Sequence, residues 1–102
     1  MNLRICDGGR ERIVPASLQL LEQVFAPEAT IVDGTEIAVA DGARWLVALA
    51  VHAPGESEAF LLSGDLGSSD VVSGRVGRSV ALEWFRDFLL ADADADADAA
   101  GG

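Results

Sequence analysis

The sequence predicts an α+β fold, an antiparallel sheet meander with an N-terminal and a C-terminal helix packed on one face. Two stretches, 18–25 and 81–89, place apolar residues at helical spacing. Between them, extended-type apolar runs alternate with Gly, Pro and Asp turns. The order strand, helix, several strands, helix is the pattern of helices gathered on one side of an antiparallel sheet.

Each element follows from its residues. Asn2–Cys6 alternates polar and apolar side chains as a first strand, and Asp7-Gly8-Gly9-Arg10 turns the chain into an extended Glu11–Val14. Pro15 fits the first turn of a helix, where its missing N–H costs nothing. Leu18, Leu21, Val24 and Phe25 form the apolar stripe of that helix, which Pro27 ends. Thr30–Val32 and Thr35–Ala40 read as extended, and Asp41-Gly42 as the centre of a tight hairpin turn. Arg44–Ala53 is the strongest strand. Trp45, Val47, Leu49 and Val51 share one of its faces and Leu46, Ala48, Ala50 and His52 the other, so it reads as a central strand covered on both sides, or on one by small residues.

Pro54-Gly55-Glu56 turns the chain, and Glu58–Ser63 returns beside that strand. Residues 63–79 are rich in Ser, Gly and Asp and read as a loop, with a short strand at Val71–Val72 or Arg75–Val76. Ser79 reads as the N-cap of the last helix, whose buried stripe is Ala81, Leu82, Phe85, Phe88 and Leu89. Residues 1–90 are expected to form one domain, and the Asp/Ala repeat of 91–102 a disordered acidic tail.

The side-chain inventory narrows the function. The chain has seventeen Asp and Glu against seven Arg and carries a net charge of −10. The thirteen acids of residues 1–90 still exceed the arginines by six. Such a body repels nucleic-acid phosphates and anionic membranes and attracts a basic protein. No apolar run approaches the roughly 18 residues of a membrane span. Asp7-Gly8-Gly9-Arg10 interrupts the N-terminus before a signal-peptide core forms. The single cysteine, Cys6, reads as a buried filler and forms no internal disulfide, so a reducing cytoplasm is the expected location.

The catalytic and ligand-binding motifs do not close. His52, Ser63 and Asp65 supply the letters of a hydrolase triad without a nucleophile elbow. The glycines of 64–67 and 74–77 lack the Gly-Lys-Ser/Thr ending of a phosphate loop. The repeat Asp92, Asp94, Asp96, Asp98 begins like a calcium loop but has Ala97 where the turn glycine belongs. One His and one Cys do not make a zinc site. The sequence therefore predicts no enzyme, no metal and no cofactor. Glu56 and Glu58, beside the Pro54-Gly55 turn, and Asp65 and Asp70, in the Gly/Ser stretch, are the candidate partner contacts. Trp45 or Trp84 is the candidate apolar anchor.

The segment Val76-Gly77-Arg78-Ser79-Val80-Ala81-Leu82-Glu83-Trp84-Phe85-Arg86-Asp87-Phe88-Leu89-Leu90 resembles the end of small bacterial immunity proteins encoded beside deaminase-type polymorphic toxins. Those proteins finish with a strand, a capped turn and a helix ending in an aromatic–Leu pair. The resemblance covers residues 15–90 in the order of elements and 76–90 in residue pattern; the chain is shorter and lacks the longer glycine-rich insert before the last helix. It implies a non-catalytic inhibitor that plugs a toxin's active site, and carries over no individual functional residue. The leading expectation is thus a small acidic protein-binding module, most concretely an immunity protein acting on a basic toxin. The alternative is a secretion-type chaperone or assembly subunit acting as a homodimer.

Overall fold

The computed structural model describes the backbone of residues 1–52, 58–66 and 71–101, and the side chains of these except Val71 and residues 92–101. It is an α+β fold with a single six-stranded antiparallel sheet and two helices. The strands are β1 (Asn2–Asp7), β2 (Arg10–Pro15), β3 (Glu36–Asp41), β4 (Arg44–Val51), β5 (Ala59–Asp65) and β6 (Val71–Val76). Helix α1 (Leu18–Val24) lies between β2 and β3, and α2 (Arg78–Gly101) follows β6. The strands lie in the order β2-β1-β3-β4-β5-β6. Because β1 separates β2 from β3, those two run parallel to each other, and α1 supplies the crossover that parallel strands require.

Glycine chemistry sets the first two hairpins. Gly8 and Gly9 both hold positive φ (57° and 87°) between the paired Asp7 and Arg10, the twist-matched two-residue turn. In the β3–β4 hairpin the central pair is Gly42-Ala43 rather than Asp41-Gly42. Gly42 alone takes positive φ (62°), and Asp41 closes the ladder opposite Arg44, with their side chains 3.1 Å apart.

Other boundaries also move. Pro15 ends β2 opposite Asn2 instead of opening α1, since an edge strand tolerates a residue without N–H. Ser17 caps α1, its hydroxyl accepting from the Leu20 amide at 3.1 Å. Leu18 is consequently exposed, and the buried stripe of α1 begins at Leu21. Thr30–Val32 is irregular, although Ile31 is buried. The described part of the Ser/Gly stretch is largely strand, because β5 runs on to Asp65 and β6 spans both short candidates. Helix α2 begins at Arg78, so Ser79 lies within its first turn. Its backbone stays helical through the Asp/Ala repeat, where alanine's high propensity competes with acids that oppose the helix dipole.

The core lies between the helices and one face of the sheet. Leu3, Ile5, Ile37, Val39, Leu46, Phe60 and Leu62 point inward from the strands. Leu21 of α1 and Phe25 at its C-cap meet them, with Ala81, Phe85 and Phe88 from α2. Phe25 joins the two layers, with its ring 5.6 Å from Phe60 edge-on and 5.5 Å from Phe85. Ala48 and Ala50, both fully buried, are small enough to let the aromatic rings approach β4. A Cβ added to Gly64, opposite Leu46 on β5, would stand 2.5 Å from the Trp45 carbonyl oxygen.

Two substitutions separate these effects in urea denaturation. Gly64→Ala forces β5 away from β4 and should cost about 1–3 kcal/mol. Gly74→Ala, whose Cβ meets nothing within 4 Å, should stay within about 1 kcal/mol of the parent. Phe85→Ala, at the centre of the ring cluster, should cost about 3–5 kcal/mol.

Candidate functional site: the open face of the sheet

Both helices sit on one side, so the other side of the sheet has no covering layer among the described residues. Strand alternation and register decide what it presents. Ala40, Trp45 and Asp65 form one row across it. Ile13, Arg4, Ala38, Val47, Ser63 and Ser73 form the next. Glu11, Cys6, Glu36, Leu49, Leu61 and Arg75 form the third.

The middle of this face is apolar and accessible. Trp45 is 41% exposed and Leu61 45%, with Val47 and Leu49 half-buried between them, while Ile13, 61% exposed, stands on the edge strand β2 beyond Arg4. A shallow groove floored by Ala38 and Ala40 runs beside Trp45, with Met1, Asn2, Arg4 and Ile13 along its other wall. Charges of both signs frame it, and Arg4 pairs with Glu36 at 3.0 Å. Cys6 is half-exposed on this face rather than buried, its sulfur 3.9 Å from a Glu11 carboxylate oxygen. An accessible aromatic anchor inside an apolar patch with a polar rim is the composition of a protein-docking surface.

The sequence candidates divide among three places. Trp45 and Asp65 are neighbours on the open face. Trp84 lies on the opposite side, half-buried against the core near Arg44, Phe88 and Leu66. The Arg44 guanidinium carbon sits 4.6 Å from the centre of the Phe88 ring. Glu56 and Asp70 lie outside the described residues.

Glu58 belongs to an internal tie. Arg78 Nε and Nη2 donate to its two carboxylate oxygens, each at 2.7 Å, in a fork-to-fork pair. Arg78 Nη1 donates to the Ala26 and Ala29 carbonyls, just beyond α1. His52 Nε2 stands 3.2 Å from Glu58 Oε2, and the His52 amide donates to Asp33 Oδ1 at 2.8 Å. The hydrogen bonds from Arg78 hold the Glu58 carboxyl below its ordinary range against the opposing effect of burial. The Arg78 and His52 charges add to the lowering.

The triad letters do not meet. Ser63 is paired with Val47, five residues from His52 along the strand direction, or roughly 17 Å. Among the described residues no three His, Cys, Asp or Glu side chains converge as a metal ion requires. A hollow of about 290 Å³ under α1 is lined by Ile5, Ile31, Ile37, Leu20 and Thr35. Thr35 is itself buried there, its hydroxyl without a hydrogen-bond partner among the described residues.

Sequence reasoning missed Leu61, Ile13 and Arg78. Apolar residues on both faces of β4 looked like cover on both sides, and the polar first strands gave no sign that Ile13 faces outward. Nothing local couples Arg78 to a carboxylate twenty residues earlier.

No family model, no curated protein and no solved structure matches this chain. No helix among the described residues is long and apolar enough to cross a membrane.

The depressed carboxyl of Glu58 makes stability depend on pH. A group whose folded value is lowered stabilises the fold above its unfolded value, ordinarily 4.5, and that stabilisation is lost as pH falls through the lower folded value. The urea midpoint should therefore decline below about pH 5, and Glu58→Gln should remove that part of the decline. Near neutral pH the same substitution should cost about 1–3 kcal/mol, since it breaks a charge-assisted pair.

Proposed function

We propose that this chain is a small acidic, non-catalytic binding module that seats a basic protein partner on the open face of its sheet. The most concrete form of this reading is an immunity protein that covers a toxin's active site. The observation that carries it is the accessible apolar face centred on Trp45 and Leu61, with Ile13 exposed at its edge. A net charge of −10 supports a basic partner, because it steers cationic surfaces and repels phosphates. The C-terminal strand–turn–helix pattern of residues 76–90 is what makes the partner a toxin rather than any basic protein.

Asp65, next to Trp45, supplies a carboxylate at the edge of the apolar patch. Trp45 fills the role of anchor, being large, partly accessible and fixed by the central strand. Glu58 contributes indirectly, by fixing the helices on the far side.

Binding of the purified chain to the product of the neighbouring gene tests this reading. The expected result is a complex that weakens as salt rises, and weakens about 10- to 100-fold on Trp45→Ala with unchanged circular dichroism. Absence of binding, or binding indifferent to both salt and Trp45, overturns it.

A further inference from the structure

The open face is self-complementary. We infer that, in the absence of a partner, two copies of the chain pack sheet to sheet through it as a two-fold dimer. This goes beyond the binding reading and stands on register, shape and charge alone.

An axis lying in the interface, parallel to the strands and between β3 and β4, lays β2 of one copy over β6 of the other. It also lays β1 over β5 and β3 over β4. In the third row, Glu11 on one edge strand then stands over Arg75 on the opposite edge strand of the second copy, and symmetry repeats this pair at the other end. In the first row, Trp45 lands over Ala40 of the second copy. That is the groove floored by Ala38 and Ala40, so each indole fills the hollow beside the other. In the second row, Val47 meets Ala38.

The alternative in-plane axis, across the strands, brings Glu11 over Pro15 and Arg4 over Arg4 of the second copy. It leaves one charge against an apolar side chain and sets two like charges face to face. Charge therefore selects the first arrangement. Arg75 also interacts within its own chain, and the pairing needs only the charge it holds at that edge. Arg4 and Glu36 enter the interface already paired.

The area suffices. Six strands at ~4.8 Å and six residues at ~3.4 Å make a face of roughly 29 by 20 Å. Two such faces together exceed the ~1,000 Å² that marks a specific interface. The native twist of each sheet sets the two at about −30°, the aligned packing of β-sandwiches.

Within one chain Glu11 and Arg75 sit on opposite edges, about 24 Å apart, and have no direct contact. Coupling between them therefore reports an intermolecular pair. The experiment is sedimentation equilibrium of the full chain at physiological ionic strength across a micromolar concentration series. The expected result is a monomer–dimer equilibrium. Glu11→Arg and Arg75→Glu should each weaken the dimer about tenfold, and the double reversal should restore it. Circular dichroism of each variant checks that the fold is intact. A monomer throughout, a dimer indifferent to the single reversals, or a double variant no tighter than the singles would each overturn the inference. None of these depends on the partner titration, so failure of one proposal leaves the other standing.

Discussion

The arrangement of this domain depends on one guanidinium. Arg78 opens α2 and binds, with three of its nitrogens, the carboxylate that precedes β5 and the carbonyls that follow α1. Segments 52 and 20 residues away in sequence are thereby fixed to a single side chain. Arginine stays charged across the accessible pH range, so the tie is released only through Glu58. The consequence reaches the core. Phe85 lies seven residues, two helical turns, beyond Arg78 and so falls on the same side of α2. Anchoring the head of α2 therefore aims Phe85 at Phe25, and Phe25 carries the contact on to Phe60.

Holding both helices on one side is also what leaves the other side free. An antiparallel sheet normally turns polar residues towards water on its uncovered face. Here Trp45, Val47, Leu49 and Leu61 occupy β4 and β5 on that face, beside the Arg4–Glu36 pair of β1 and β3. The acid excess of the chain is not concentrated there. Glu22, Glu28 and Asp33 belong to α1 and its exit loop, and Glu83 and Asp87 to α2. Charge is thus spread around the molecule rather than gathered on the open face.

The fold class, both helices and the β4–β5 hairpin were legible because each rests on local periodicity. The apolar run Trp45–Val51, the stripe Ala81–Phe85–Phe88 and the Asp7-Gly8-Gly9-Arg10 turn all speak within a few residues, whereas the turn read at Pro54-Gly55-Glu56 lies outside the described residues. What was illegible is non-local. The insertion of β1 between β2 and β3 follows from which edges find each other, and no residue in Asn2–Asp7 announces it. The spacing of Leu18 starts the stripe of α1 one turn early, and only the cap at Ser17 decides that Leu18 faces water. Glu58 looked like a surface acid because its partner is remote in sequence. Trp45 was ambiguous for a sharper reason. An apolar residue on a strand states that it prefers burial, and leaves open whether the chain itself provides the cover.

The two sides of β4 differ in size as well as in exposure. Its covered side is Leu46, Ala48 and Ala50, and its open side is Trp45, Val47, Leu49 and Val51. Bulk has been moved outward, and the packing that holds the fold comes instead from phenylalanines contributed by α1, α2 and β5. The open face can therefore change its side chains at little cost to the core. Substitutions at 13, 45, 47, 49 and 61 change what that face presents, while the residues that keep the chain folded stay under separate constraint.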